Sequence, residues 1–424
     1  MLVTTELNPR QQFVKTQPGG NVRKHRLVIA GATLLAATLA MSACGTRSET
    51  PGGTTGNETK TAKIGVIAPL SGDLSALGLG IKNSVDLAIK QANESKAIPG
   101  WTLELSAQDD QATPDVGKNA ATKLAGDPDV VGVVGTLNSS VSQSVQPVLS
   151  SAGIPQVSPA NTGTALTQGK DFATAPKRPY PGYFRTCTTD AVQGPFAAKY
   201  LYGTGIKKVA TIHDKKAYGQ GLVAAFTKEF TDAGGQIAAA ETVNPDDKDF
   251  GTVITKVKNA SPEAVYYGGE YPQAGPMSQQ MKAAGLNVPL MGGDGIYDPA
   301  FIELAGKTAE GDLATSVGAP PEKLPSAKAF IDAYKSAGYK EPYAAYGPYS
   351  YDAANTIINA LKVSLKDASD VKSALPKTIE EMGKVSFEGA TGPVAFDEFG
   401  DTTTKVLTVY KVTGGKWVAD KTGS

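Results

Sequence analysis

The sequence is poor in the side chains from which most active sites are assembled, with 2 histidines, 2 cysteines and 2 tryptophans in 424 residues. One histidine, His25, lies in an N-terminal segment that reads as cleaved on export, which leaves His213 alone. A serine or cysteine triad would have to use that residue, yet no Gly-x-Ser-x-Gly elbow occurs. A zinc site of ordinary His and Cys ligands lacks ligands. Phosphate loops are missing as well. Gly78-Leu79-Gly80 has Asn83 where a dinucleotide fingerprint needs its third glycine, and Gly306-Lys307-Thr308 is preceded by Phe301 where a phosphate loop needs glycine. Asp and Glu are plentiful, but no local spacing singles out a pair for sugar hydrolysis. Metal, cofactor and enzyme readings therefore have no support in the sequence.

Charge of one sign is also lacking, since 41 Lys and Arg face 41 Asp and Glu. Removal of the N-terminal segment tips this balance slightly toward acid, so no basic stripe remains for nucleic acid or anionic lipid. With Cys44 assigned below to a lipid, Cys187 has no partner for an intramolecular disulfide, and it reads as a small buried residue.

Long apolar runs are limited to one. Leu27 to Met41 follows Arg23, Lys24 and Arg26 and ends in Met41-Ser42-Ala43-Cys44. A spanning helix needs about 20 apolar residues, and this run is shorter and closes on small residues before a cysteine. It is the pattern of a lipoprotein signal peptide over 1–43, with Cys44 lipidated and the mature chain held on the outer face of the cell membrane. Residues 44–62 are rich in Gly, Thr and Ser without apolar period, the composition of a tether.

From Lys63 onward β-rich runs alternate with helix-period segments, which predicts an α/β fold with mainly parallel sheets covered on both faces. Ile64–Ala68, Leu103–Ala107 and Val130–Gly135 read as strands. Ile81, Val85, Ala88, Ile89 and Ala92 mark one face of an intervening helix. A second series follows a Pro-rich break at 175–181, with strands at Lys208–Ile212, Ala264–Tyr267 and Val288–Met291. Two such series predict two doubly wound lobes. In open sheets of this kind ligands bind at the loops that follow the strands. Gly135-Thr136-Leu137-Asn138-Ser139-Ser140 joins a strand to a helix and forms an anion seat of hydroxyls and free N–H groups, with Asn138 or Ser139 alternatively a helix cap. Ser158-Pro159-Ala160-Asn161-Thr162-Gly163 offers a further hydroxyl.

His213-Asp214-Lys215, Tyr218-Gly219-Gln220-Gly221, Val265-Tyr266-Tyr267-Gly268-Gly269 and Met291-Gly292-Gly293-Asp294-Gly295 occur in that order, with Arg185-Thr186 and Gln193-Gly194-Pro195 before them. In this order they resemble the branched-chain amino acid binding proteins of ABC importers, which have the type I periplasmic-binding fold. The resemblance runs from about Lys63 to Val412 and implies three crossovers between lobes, near 186–190, 317–320 and 396–400. Lobe 1 is then 63–186 plus 318–397, and lobe 2 is 187–317 plus 398–424.

The resemblance further implies that a small amino acid places its carboxylate on Ser139 and Thr162. Its ammonium meets the Ala160 carbonyl and Asp294, because a zwitterion leaving water needs both charges paired. Tyr218 and Tyr346 would line the side-chain pocket with their rings. The sequence departs from the family at Leu77 and Glu270, where aromatic residues are usual, and at Asn138, which replaces a less polar neighbour. Glu270 would reach either the ammonium or a polar or cationic end of the ligand. The partners implied are the permease and ATPase subunits of an importer. The same fold also serves ligand sensors and binders of short amides or urea.

Overall fold

The computed structural model describes residues 59–424. The expected signal segment and Cys44 lie outside the described residues.

Five strands make the first sheet: β1 (Lys60–Ala68), β2 (Trp101–Asp109), β3 (Val130–Gly135), β4 (Gln156–Ser158) and β5 (Tyr183–Arg185). Their order is β2-β1-β3-β4-β5, and every pair is parallel. The run Val130-Val131-Gly132-Val133-Val134-Gly135 is buried at every position, as expected of a strand covered on both faces. β1 starts at Lys60, ahead of the Lys63 start that composition suggested, because Lys60-Thr61-Ala62 pairs in register with Trp101-Thr102-Leu103.

The second sheet contains β6 (Lys208–His213), β7 (Gln236–Thr242), β8 (Ala264–Gly268), β9 (Leu290–Gly292) and β10 (Leu313–Ser316). A separate hairpin, β11 (Phe387–Gly389) and β12 (Gly392–Val394), precedes β13 (Leu407–Thr413) and β14 (Lys416–Gly423). The order is β14-β13-β10-β9-β8-β6-β7, parallel from β7 to β10 and antiparallel from β10 to β14. β7, β10 and β14 carried no clear sequence signal. Gln236–Thr242 alternates only between partly buried and exposed positions, and β14 is mostly exposed. The helices Gly347–Ser364 and Val371–Met382 return to the first sheet, packing on β3. The chain thus passes from β5 into the second sheet, from β10 back to the first and from β12 out to β13.

In each sheet the first strand of the series is flanked by the second and third, so the strand order reverses there. The crevice beyond the C-terminal ends of those strands is where such sheets place ligands. The loops after β3, β4, β6, β8 and β9 all open toward it.

A buried ion pair fixes the region where two crossovers meet. The Arg185 guanidinium is fully buried and its Nε lies 2.6 Å from Asp401 Oδ1. Its Nη1 donates to the carbonyls of Asn161 at 2.6 Å and Gly163 at 3.1 Å, and its Nη2 to the Thr167 hydroxyl. The Arg185 N–H also donates to the Gly400 carbonyl at 3.0 Å. Gly400 has φ +83°, and a Cβ there would lie 2.6 Å from the Tyr183 carbonyl oxygen, so no other residue fits this approach. Burial works against charge on Asp401, but the Arg185 guanidinium, helped by donors from Gln168 and Thr167 and by Lys405, holds the carboxyl below its ordinary value. Arg185→Leu strands this carboxylate and frees the 161–167 loop. We expect a loss of about 3 to 5 kcal/mol in unfolding free energy, measured by urea denaturation; a loss under about 1 kcal/mol would contradict the assignment.

Candidate functional site

Between the two sheets lies a small cavity of about 20 Å³ lined by Leu77, Leu137, Asn138, Ser139, Ala160, Tyr218, Glu270, Asp294, Gly295 and Tyr346. Eight of the nine positions singled out from the sequence meet there, and Thr162 does not. It lies fully buried beneath the site.

Asp294 follows β9 and is 3% exposed. Its Oδ1 accepts from Gln193 Nε2 and from the Tyr218 hydroxyl, each at 2.9 Å, and its Oδ2 accepts from the Tyr346 hydroxyl at 2.7 Å. The Asp294 N–H donates to Gln193 Oε1 at 2.8 Å, and Thr315 donates its hydroxyl to the same oxygen at 2.6 Å. Burial pushes the Asp294 carboxyl up, while the donors from Gln193, Tyr346 and Tyr218 oppose the shift. A carboxylate offers about four acceptor positions, and these three donors leave room for one more. The two tyrosines thus meet the site with their hydroxyls, where the sequence suggested apolar ring walls. Gln193 was visible only as part of a motif.

The opposite wall carries the start of the helix Ser139–Ser151. The N–H groups of Val141 and Ser142 both turn back to the Asn138 carbonyl, at 3.1 Å each, so those of Ser139 and Ser140 are the ones left for a ligand. Ser139 Oγ accepts from the Gly163 N–H at 3.2 Å, which joins the loops after β3 and β4. Asn138 occupies the cap position without capping. Its Nδ2 instead donates 2.6 Å across the crevice to Glu270 Oε1. Glu270 Oε2 accepts from Lys216 Nζ at 2.9 Å. Lys216 gave no sequence signal, because its role depends on a residue 54 positions away. Beyond Glu270 the crevice widens to about 990 Å³, with Asp73, Gln111, Ser140, Lys216 and Asp246 among its walls.

Beneath the cavity Asp190 begins the helix Asp190–Gly203 and donates its N–H to the Thr162 carbonyl at 2.8 Å. Neither Asp190 carboxylate oxygen nor the adjacent Thr162 hydroxyl has a well-aligned hydrogen-bond partner among the described residues. Burial, reinforced by the Asp294 charge, pushes the Asp190 carboxyl up to about 8, against the opposing Thr162 hydroxyl and Arg185 guanidinium. Among the described residues no group of three His, Cys, Asp or Glu is placed to hold a metal, and no helix is long and apolar enough to cross a membrane.

Known proteins share the sequence pattern and the fold. A family model described as periplasmic binding protein matches residues 61–416. The Leu/Ile/Val-binding protein homolog 3 of Brucella melitensis is 34% identical over 358 residues, 84% of this chain and 92% of that protein. A leucine-binding protein, LivK, from Thermotoga maritima superposes with TM-score 0.76 at 29% identity, covering 85% of this chain and 98% of the other. The branched-chain amino acid transporter substrate-binding protein LivJ of Streptococcus pneumoniae, in complex with isoleucine, gives 0.74 at 27% identity, covering 85% and 99%. These relatives are solute-binding proteins, and this chain is not an enzyme.

The raised Asp190 carboxyl makes stability depend on pH. Between its ordinary 3.8 and about 8 the group is protonated in the folded chain and ionised in the unfolded one. The folded state then binds more protons, so this contribution declines as pH rises through that window. Asp190→Asn removes the slope. Between pH 5 and pH 8 the variant is expected to gain stability relative to the parent in denaturant melts; parallel profiles would contradict the assignment.

Proposed function

Because the chain belongs to the periplasmic binding protein family, we propose that it is the lipid-anchored, extracytoplasmic binding subunit of an ABC importer. It captures a branched-chain or related small amino acid by closure of its two lobes. The observation that carries this reading is the buried Asp294 carboxylate facing a helix start with hydroxyl and free N–H groups across a crevice. An ammonium beside Asp294 restores a charge partner to a carboxylate that burial otherwise disfavours. The Ala160 carbonyl, on the loop after β4, adds a neutral acceptor for the same ammonium. The carboxylate of the ligand takes Ser139 Oγ and the N–H groups of Ser139 and Ser140, where the positive end of the helix favours an anion.

Mechanism follows from the division of these groups. Ser139, Ala160 and Tyr346 belong to segments packed on the first sheet, and Tyr218, Glu270 and Asp294 to the second. A molecule that touches both sets favours the closed form by its differential contacts. The closed shape is then what the permease and its ATPase subunits read, with Cys44 and the residues after it keeping the chain near them on the outer face of the membrane.

Asp294→Ala removes the acid proposed to meet the ammonium. Its expected cost is more than about 2 kcal/mol in binding, roughly 30-fold in Kd, measured by calorimetry against the best ligand from a panel of twenty amino acids. Affinity unchanged by the substitution would refute the clamp.

A further inference from the structure

The wall of the cavity away from Asp294 is polar, and its one unused atom is an acceptor. Glu270 and Asn138 stand where an aliphatic ligand would want apolar cover, and both are buried, at 5% and 4% exposed. A carboxylate can only accept, so the amide NH₂ of Asn138 must be the group facing Glu270 Oε1 at 2.6 Å. That fixes Asn138 Oδ1 as the other end of the amide, and Oδ1 has no hydrogen-bond partner among the described residues. Buried carbonyl oxygens are normally satisfied, and one that lines a ligand cavity calls for a donor from the ligand.

The donor is uncharged. Both Glu270 oxygens are engaged, one by Asn138 and one by the Lys216 ammonium at 2.9 Å. Lys216 also stands 3.9 Å from Asp214. Lys216 already pairs the Glu270 charge, so a cationic ligand end brought to this wall would meet the Lys216 ammonium beside it. Leu77, Leu137 and the two tyrosines line the rest of the cavity.

We infer that the ligand is a small amino acid whose side chain carries a neutral hydrogen-bond donor, a hydroxyl or carboxamide, received by Asn138 and held in place by Glu270. Threonine, serine and asparagine are the members of that class among the common amino acids. This rests on the zwitterion clamp proposed above and adds the identity of the side chain. Leu77 and Leu137 are apolar parts of the same lining, against which the methyl group of threonine can pack.

Threonine and valine have the same shape and differ by a hydroxyl in place of a methyl, so they isolate the donor. A site built to bond a hydroxyl rejects the analogue that lacks it. Calorimetry on the full chain in detergent is expected to show threonine binding at least about tenfold more tightly than valine. The double variant Asn138→Leu with Glu270→Tyr removes the acceptor without stranding a carboxylate, and it is expected to reverse the order. Valine binding as tightly as threonine to the parent chain overturns the side-chain inference and leaves the clamp standing. Failure of every amino acid to bind overturns both.

Discussion

Asp294 is a carboxylate removed from water, and its donors come from both halves of the molecule. Gln193 and Tyr218 reach it from helices of the second sheet, while Tyr346 reaches it from the start of a helix packed on the first. An isolated buried carboxylate is costly, so its surroundings must supply donors, and they do so in a geometry that requires the lobes to be together. The same group therefore links closure to charge. A positive ligand group placed beside it adds the opposite charge, since its side-chain donors among the described residues are all neutral.

The remainder of the architecture holds that arrangement in register. Parallel strands deliver loops to one edge, and the reversal of strand order opens the crevice. Arg185 then ties the loop carrying Asn161 and Gly163 to Gly400 on the third crossover, so the pocket wall and that crossover share one buried ion pair. Asp190 lies close by, at the first crossover, with a carboxyl that burial keeps largely protonated near neutral pH. Asp294 is thereby the acid at the floor of the site that remains for a cation, while Glu270 at the far wall is paired with Lys216. At the opposite wall Asn138 and Glu270 make a second bond across the crevice, which couples the polar end of the pocket to closure as well.

Much of this was legible in the residues. Continuous β-branched runs such as Val130–Gly135 marked buried strands, and the loops that follow strands held Asn138, Ser139 and Ala160, while Glu270 and Asp294 were singled out by the family resemblance. The positions of Tyr218, Tyr346 and Leu77 came from the family resemblance. Weakly patterned strands escaped: β14 is largely exposed and β10 is short. What the sequence concealed was pairing. Asn138 and Glu270 are 132 positions apart, and nothing local distinguishes an asparagine that caps its helix from one that reaches across a crevice. Gln193 and Lys216 were hidden for the same reason, since each acts through a partner brought near only by the fold. Thr162 shows the converse. Its hydroxyl was placed in the pocket by resemblance, and in the closed structure it lies beneath, beside Asp190.

The central claim is that both charges of one small molecule are clamped between the lobes. It is tested most directly by measuring the binding of a recognised amino acid beside its deaminated acid and its decarboxylated amine. Loss of at least about 30-fold in affinity for each analogue is the result this account predicts. A deaminated acid that binds as tightly as the amino acid would contradict it.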